Sequence, residues 1–262
     1  MFDAKRLLDQ FLGGPSGGPG GQQSRGFDPA KLGDLARGGL GALGGNLGGV
    51  GGGALAGGLA GILLGSKQGR KLGGTALQLG GMAVVGALAY HAYRNWQAGN
   101  SPQTAAQGAG SVPMLPPPRD TPFNPGLETD QQTLGRNLLR AMIAAAKADG
   151  HIDAEEQSNI FAQMDKLPLD ADDKAFVMDE LRRPLDVDAV AAGARSPEEA
   201  AEIYAASLLA IDVNNAAERG YLALLAARLR LDDKLVAHLH ATIEGATEQE
   251  LVPVPAARST AS

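Results

Sequence analysis

Glycine stands at every fourth position nine times in succession, at Gly41, Gly45, Gly49, Gly53, Gly57, Gly61, Gly65, Gly69 and Gly73. Residues four apart stack along one face of a 3.6-residue helix. The adjacent row is small as well, with Gly44, Gly48, Gly52, Ala56 and Ala60, while Leu43, Leu47, Val50, Leu55, Leu59 and Ile62 fall elsewhere. In water such a helix is poor, because each glycine costs about 1 kcal/mol relative to alanine. In a bilayer the backbone must satisfy its own hydrogen bonds, and small-residue faces let helices approach closely. The pattern therefore predicts a membrane-embedded helical hairpin over residues 28–97, with membrane lipid as one partner. It also predicts homo-oligomers formed through the glycine-rich helices.

Two uncharged runs support the hairpin. One extends from Gly38 to Gly65 and the other from Leu72 to Tyr93, separated by the basic turn Ser66-Lys67-Gln68-Gly69-Arg70-Lys71. Both reach the roughly 18 to 20 residues that cross a hydrocarbon core of about 30 Å. The second run ends in Tyr90, Tyr93, Arg94 and Trp96, a grouping of rings and a cation typical of a membrane-water interface. Basic residues in the turn and on the flanks are near balance, so the sequence leaves open which side the C-terminal part occupies.

Around the hairpin the chain changes character. Residues 1–27 read as a flexible arm, opened by a short amphipathic stretch carrying Phe2, Leu7, Leu8, Phe11 and Leu12. Its two readings are a frayed terminal helix or an interfacial membrane anchor. Residues 98–127 hold Pro102, Pro113, Pro116, Pro117, Pro118, Pro122 and Pro125 and read as an extended, largely unfolded tether. The net charge of −6 hides a split: residues 1–127 carry ten Lys/Arg against five Asp/Glu, and residues 128–250 twelve against twenty-four. The acidic part lacks the clustered cations that phosphate backbones require, which excludes nucleic acid as a partner. Cysteine is absent, so thiolate chemistry and disulfides are excluded.

Residues 128–246 show helical periodicity throughout and no strand-like alternation. Leu134, Leu138, Leu139, Met142 and Ile143 form the first apolar face. A second helix is expected from Asp153 toward Lys166 and a third from Asp170 to the break at Pro184. A short fourth begins after Asp186. Ser196-Pro197-Glu198-Glu199 resembles a capping box with proline at N1 and launches a fifth. A sixth begins after Asn214 or Asn215, and a seventh near Asp232. His238 and His240, two apart on that helix, point to different sides and read as surface or helix-end residues. The tail, 247–262, reads as disordered. The fold class is all-α.

The segment Lys147-Ala-Asp-Gly-His-Ile-Asp-Ala-Glu-Glu156 matches the second half of a calcium loop through Asp149-Gly150, Ile152 and Glu156. Ala145 and Lys147 stand where the first two carboxylates would be, so it is not an EF-hand. Asp153 and Glu156 also suit a helix start. Ser207-Leu-Leu-Ala-Ile-Asp212, with Glu218 beyond it, occupies an analogous helix-turn-helix corner. Carboxylates at two such corners could share a divalent cation if the corners meet. No nucleophile elbow or phosphate loop occurs, and Gly39-Leu-Gly41-Ala-Leu-Gly44 lacks the strand and acidic residue of a dinucleotide site.

Ala146-Lys-Ala-Asp-Gly-His-Ile-Asp-x-x-Glu156 and Ala206-Ser-Leu-Leu-Ala-Ile-Asp212 through Glu218-Arg-Gly-Tyr-Leu222 resemble segments of the YebE-like inner-membrane protein family, whose C-terminal domain is similar to the tellurite-resistance TerB domain. The resemblance covers about 128–246. It implies a TerB-like helical bundle, association with the bacterial inner (cytoplasmic) membrane, and links to stress response. It also implies Asp149, Asp153, Glu156, Asp212 and Glu218 as metal ligands for a divalent cation. The expected function is a membrane-associated binding or scaffolding protein, metal- or stress-responsive, with an unknown protein partner. Alternatives are a glycine-zipper assembly device and, disfavoured, a metal-dependent enzyme; no catalytic constellation is visible and none is expected.

Overall fold

The computed structural model describes residues 3–5, 7–8, 81–103, 116–148, 171–211, 213 and 216–249. These form seven named helices: α1 (Gly81–Gln97), α2 (Glu128–Ala146), α3 (Ala171–Arg182), α4 (Val187–Ala191), α5 (Pro197–Ala210), α6 (Ala216–Arg228) and α7 (Asp233–Gln249). Among the described residues there is no strand, only an isolated bridge between Thr121 and Asn124. The all-α expectation therefore holds for them. The glycine ladder from Gly41 to Gly73 and the expected helix over 153–166 lie outside the described residues.

The bundle is organised around α5, which packs on α1, α2, α4, α6 and α7. Every residue from Glu199 to Ala210 is buried. A helix that is apolar nearly all round must be covered on all sides, and here other helices cover it. Its start obeys the sequence signal: the Ser196 hydroxyl accepts the Glu199 amide at 3.2 Å, and Pro197 sits in the first turn. The shorter α4 begins in the same manner, with Asp186 Oδ1 accepting the Ala189 amide at 2.9 Å. An ion pair between Arg228 and Asp188 at 2.8 Å joins α6 to α4.

The chief difference from the sequence reading concerns α1. Its residues up to Tyr93 belong to the second uncharged run, expected to span a membrane as half of the 28–97 hairpin. Instead α1 packs on α5 and α7, with Val84, Val85, Leu88, Ala89 and Ala92 in the common core. Its 17 residues reach about 25 Å at 1.5 Å per residue. No helix among the described residues is long and apolar enough to cross a membrane. The aromatic residues expected at a lipid headgroup layer form an internal cluster. Tyr90 and Tyr93 both meet Phe123 edge-on, each with ring centroids 5.6 Å apart, and Tyr93 packs on Trp96 at 5.3 Å. Rings with one polar edge suit a protein interior that offers a partner; the Trp96 indole donates to Asp232 Oδ1 at 3.2 Å.

Two flanking segments also differ. Residues 116–127, expected to be part of a free tether, fold as a strap over α1. Phe123 and Pro117 are buried, the Asn124 amide group donates to the Pro117 carbonyl at 3.1 Å, and Gln131 donates to the Pro125 carbonyl at 2.6 Å. At the N-terminus, expected to be a flexible arm, Ala4, Leu7 and Leu8 are fully buried. The Ala4 amide donates to Gln132 Oε1 at 2.6 Å and the Asp3 amide to Asp173 Oδ1 at 3.1 Å, tying this turn to α2 and α3. The amphipathic pattern was legible; the apolar stripe covers protein. At the other end of the chain α7 continues to Gln249, three residues into the tail expected to be disordered, and residues 250–262 lie outside the described residues.

Candidate functional site

The N-terminus of α5 carries a charged clamp. The Arg195 guanidinium donates to Glu199 Oε1 at 2.7 Å through Nη2 and at 3.0 Å through Nε, and to Asp130 Oδ1 at 2.9 Å through Nη1. The Arg195 amide also donates to Glu199 Oε2 at 2.9 Å. This is the reciprocal half of the expected capping box, shifted by one residue, since the acceptor serves Arg195 rather than Ser196. Paired with two carboxylates, the guanidinium is held even more firmly protonated than usual. Above it lies an open cleft of about 690 Å³, lined in part by Asp120, Thr121, Pro125, Leu127, Arg195 and Glu199. Asp120 has φ 61°, a left-handed conformation that aspartate tolerates, and its carboxylate rests on Gly126, where no side chain would fit.

One turn deeper sits Glu202, with no accessible surface. Neither carboxyl oxygen has a hydrogen-bond partner. Its ionisation is pushed well above the ordinary carboxylic range, first by burial and then by the negative charges of Glu199 and Glu198. An unpaired buried ion is far more costly than a neutral acid, so the group resides there protonated. The space facing it exists because α1 presents glycine. A Cβ built on Gly86 would lie 2.8 Å from the Phe123 carbonyl oxygen and 3.2 Å from Glu202 Oε1. α1, α5 and the strap therefore meet at one point, occupied by a buried acid.

Two residues beyond Glu202, on another side of α5, Tyr204 and His240 share a hydrogen bond between the hydroxyl and Nε2 at 3.0 Å. Burial pushes the phenol up to about 12 and lowers the imidazole from its usual value. Both shifts favour neutral forms. They border a groove of about 430 Å³ between α6 and α7, walled by Leu222, Ala226, Leu231 and Val236. His238 is buried rather than on the surface. Its ring nitrogens face two carbonyls, Lys234 at 2.6 Å and Asn100 at 3.0 Å, which fastens α7 to the turn after α1. The two histidines do point to different sides, as their spacing requires, but both sides are covered.

Of the residues expected to hold a cation, Asp149, Asp153, Glu156 and Asp212 lie outside the described residues. Glu218 stands in the first turn of α6, half-buried, with Oε2 shielded from solvent. A carboxylate there complements the positive end of the helix dipole. Among the described residues no group of three or more His, Cys, Asp or Glu could hold a metal ion. Sequence reasoning passed over Glu202: it assigned Glu198 and Glu199 to the capping box and gave the next turn no role. The available signal was the apolar surround, Ala200, Ala201 and Ile203 onward, which requires burial on every side of α5.

Comparison with known proteins adds a family. Residues 49–243 match the family model described as a protein of unknown function, DUF533. The chain belongs to the DUF533 family. An uncharacterised protein from the ampR 5′ region of Yersinia enterocolitica is 34% identical over 96 residues, covering 37% of this chain and 69% of that relative. No solved structure matches. The DUF533 segment begins inside the glycine ladder and continues through α1 into α7, so the ladder's second part and the bundle fall within a single family unit.

Proposed function

We propose that this DUF533 protein is a membrane-associated binding or scaffolding module of the bacterial inner membrane, without catalytic activity of its own. The observation carrying this reading is the position of α1. The uncharged run Leu72–Tyr93 ends as a helix in the bundle core, with no tether between them. Lipid suits the stretch Gly38–Gly65, because it carries no charge and repeats glycine at every fourth position from Gly41. The acidic bundle then offers its clefts, above Arg195–Glu199 and between α6 and α7, to a protein partner. The bundle is read as TerB-like and the whole as YebE-like, on the two Asp-containing motifs. Cell fractionation with alkaline carbonate extraction tests the membrane reading. The full-length protein should remain in the pellet; release into the supernatant overturns it. Calorimetry with Ca²⁺, Mg²⁺ and Zn²⁺ tests the cation carried over from the same motifs, and absence of heat with no thermal shift removes it.

A further inference from the structure

Among the described residues Glu202 has no hydrogen-bond partner and no cation beside it, and it lies where α5 meets α1 and the strap. Buried carboxyl groups are normally bonded or paired, and one that is neither needs an explanation. Among the described residues, the elements packed around it bring no counter-charge. On α5 itself the groups acting on Glu202 are Glu199 and Glu198, both acidic. The cation at the start of α5, Arg195, is committed to Glu199 and to Asp130 of α2. α1 offers Gly86 at the contact; farther along, Tyr93 faces Glu198, and His91 lies beside Arg94. The strap offers the Phe123 carbonyl and Pro117; its Asp120 rests on Gly126 and its Arg119 is exposed. α6 brings Tyr221 to Ser207, and α7 brings His240 to Tyr204.

We propose that α1 and its strap dock on α5 only while Glu202 carries a proton, so that loss of this proton releases them from the bundle. With the carboxyl neutral, the contact leaves one acid group unbonded. With it ionised, a charge would face a carbonyl oxygen at a point closed to water. Besides its apolar packing on α5 and α7, α1 is tied at its C-terminal end, where Trp96 meets Asp232 and Asn100 meets His238. Release would therefore begin near Gly86 and reach Trp96 last. The inference concerns the bundle alone and stands whether or not residues before 81 enter lipid.

Trp96 is the only tryptophan in the chain and reports docking directly. Its fluorescence, monitored from pH 5 to pH 10 in the full-length protein, is expected to show a single-proton red shift. Glu202→Gln, neutral at every pH, is expected to abolish it. A transition of the same midpoint in Glu202→Gln would assign it to another group and overturn the proposal. Should that variant fail to fold, hydrogen exchange on the wild-type protein decides. After correction for intrinsic rates, protection is expected to fall with rising pH around Gly86 in α1 and in the strap before it falls in α6. Protection in α1 that is constant over the range, or lost equally everywhere, overturns it.

Discussion

Gly86 and Gly220 are both helical glycines, and replacing each with alanine should move stability in opposite directions. Gly220, in α6, is exposed, and a Cβ there would meet nothing within 4 Å. Its replacement should yield the helix-propensity gain alone, about 1 kcal/mol. At Gly86 the same gain is opposed by contact with the strap. The new Cβ would stand 2.8 Å from the Phe123 carbonyl oxygen, about 0.5 Å closer than a C···O contact of about 3.3 Å. The oxygen belongs to the backbone, so no rotamer change relieves it, and either α1 or the strap must shift. Such overpacking costs about 1–3 kcal/mol, which leaves Gly86→Ala net destabilised by roughly 1 kcal/mol once the propensity gain of about 1 kcal/mol is counted. In thermal unfolding each 1 kcal/mol moves the midpoint by about 2–4 °C in a protein of this size. The two variants should therefore separate by roughly 4–8 °C around the wild type. If Gly86→Ala is stabilised as much as Gly220→Ala, α1 does not lie beneath the strap and the packing argument fails.

Three other features carry expectations of their own. Ser196→Ala removes the hydroxyl that accepts the Glu199 amide and should lower stability by about 1 kcal/mol in denaturant unfolding; no change would mean the cap contributes nothing. Arg230 has φ 55° and closes α6, with the Leu231 amide donating to the Ala226 carbonyl at 3.0 Å and its own to Ala227 at 3.2 Å. Arg230→Gly should stabilise the fold modestly, by up to about 1 kcal/mol, since glycine occupies that conformation without steric cost; a lowered unfolding midpoint would contradict it. The pH dependence of stability has two signed contributions. The raised ionisation of Glu202 gives stability that is complete below the ordinary carboxyl range and declines as pH rises toward the folded value, by at most about 1.4 kcal/mol per pH unit. The lowered ionisation of His240 works in the other direction, with stability complete above the ordinary histidine value and lost as pH falls. Glu202→Gln should flatten only the alkaline limb of a pH series of unfolding curves; an unaltered limb would show that another group governs it.

Much of the bundle was legible because its helices announce their ends. Ser196-Pro197 opens α5, Asp186 opens α4, and the break at Pro184 separates α3 from it. What could not be read was the identity of the surface covering each apolar face. Periodicity shows that Leu7 and Leu8, or Val84, Val85 and Leu88, seek cover, but lipid and protein satisfy that demand equally well. The aromatic group at the end of α1 was ambiguous in the same way, because an interface ring and a core ring with a polar edge have the same composition. Proline in the strap suggested extended backbone, whereas the chain turns at residues 119–123 and Phe123 anchors it. Of the candidate cation ligands only Glu218 is placed, in a half-buried first helical turn that its sequence position anticipates. The buried state of Glu202 was recoverable only by treating all of α5 as enclosed, which outweighs the polar look of its first two turns.

The position of α1 is tested most directly by comparing two fragments, one beginning at residue 79 and one at residue 98, both ending at residue 249. Removing α1 withdraws Met82, Val84, Val85, Leu88 and Tyr93 from the core. At about 1.5–3 kcal/mol per buried side chain, that loss is on the order of 10 kcal/mol, comparable with the whole stability of a domain. The longer fragment should unfold in one cooperative transition, and the shorter should show none. Equal, cooperative unfolding of both at the same midpoint would mean that α1 is not part of the bundle.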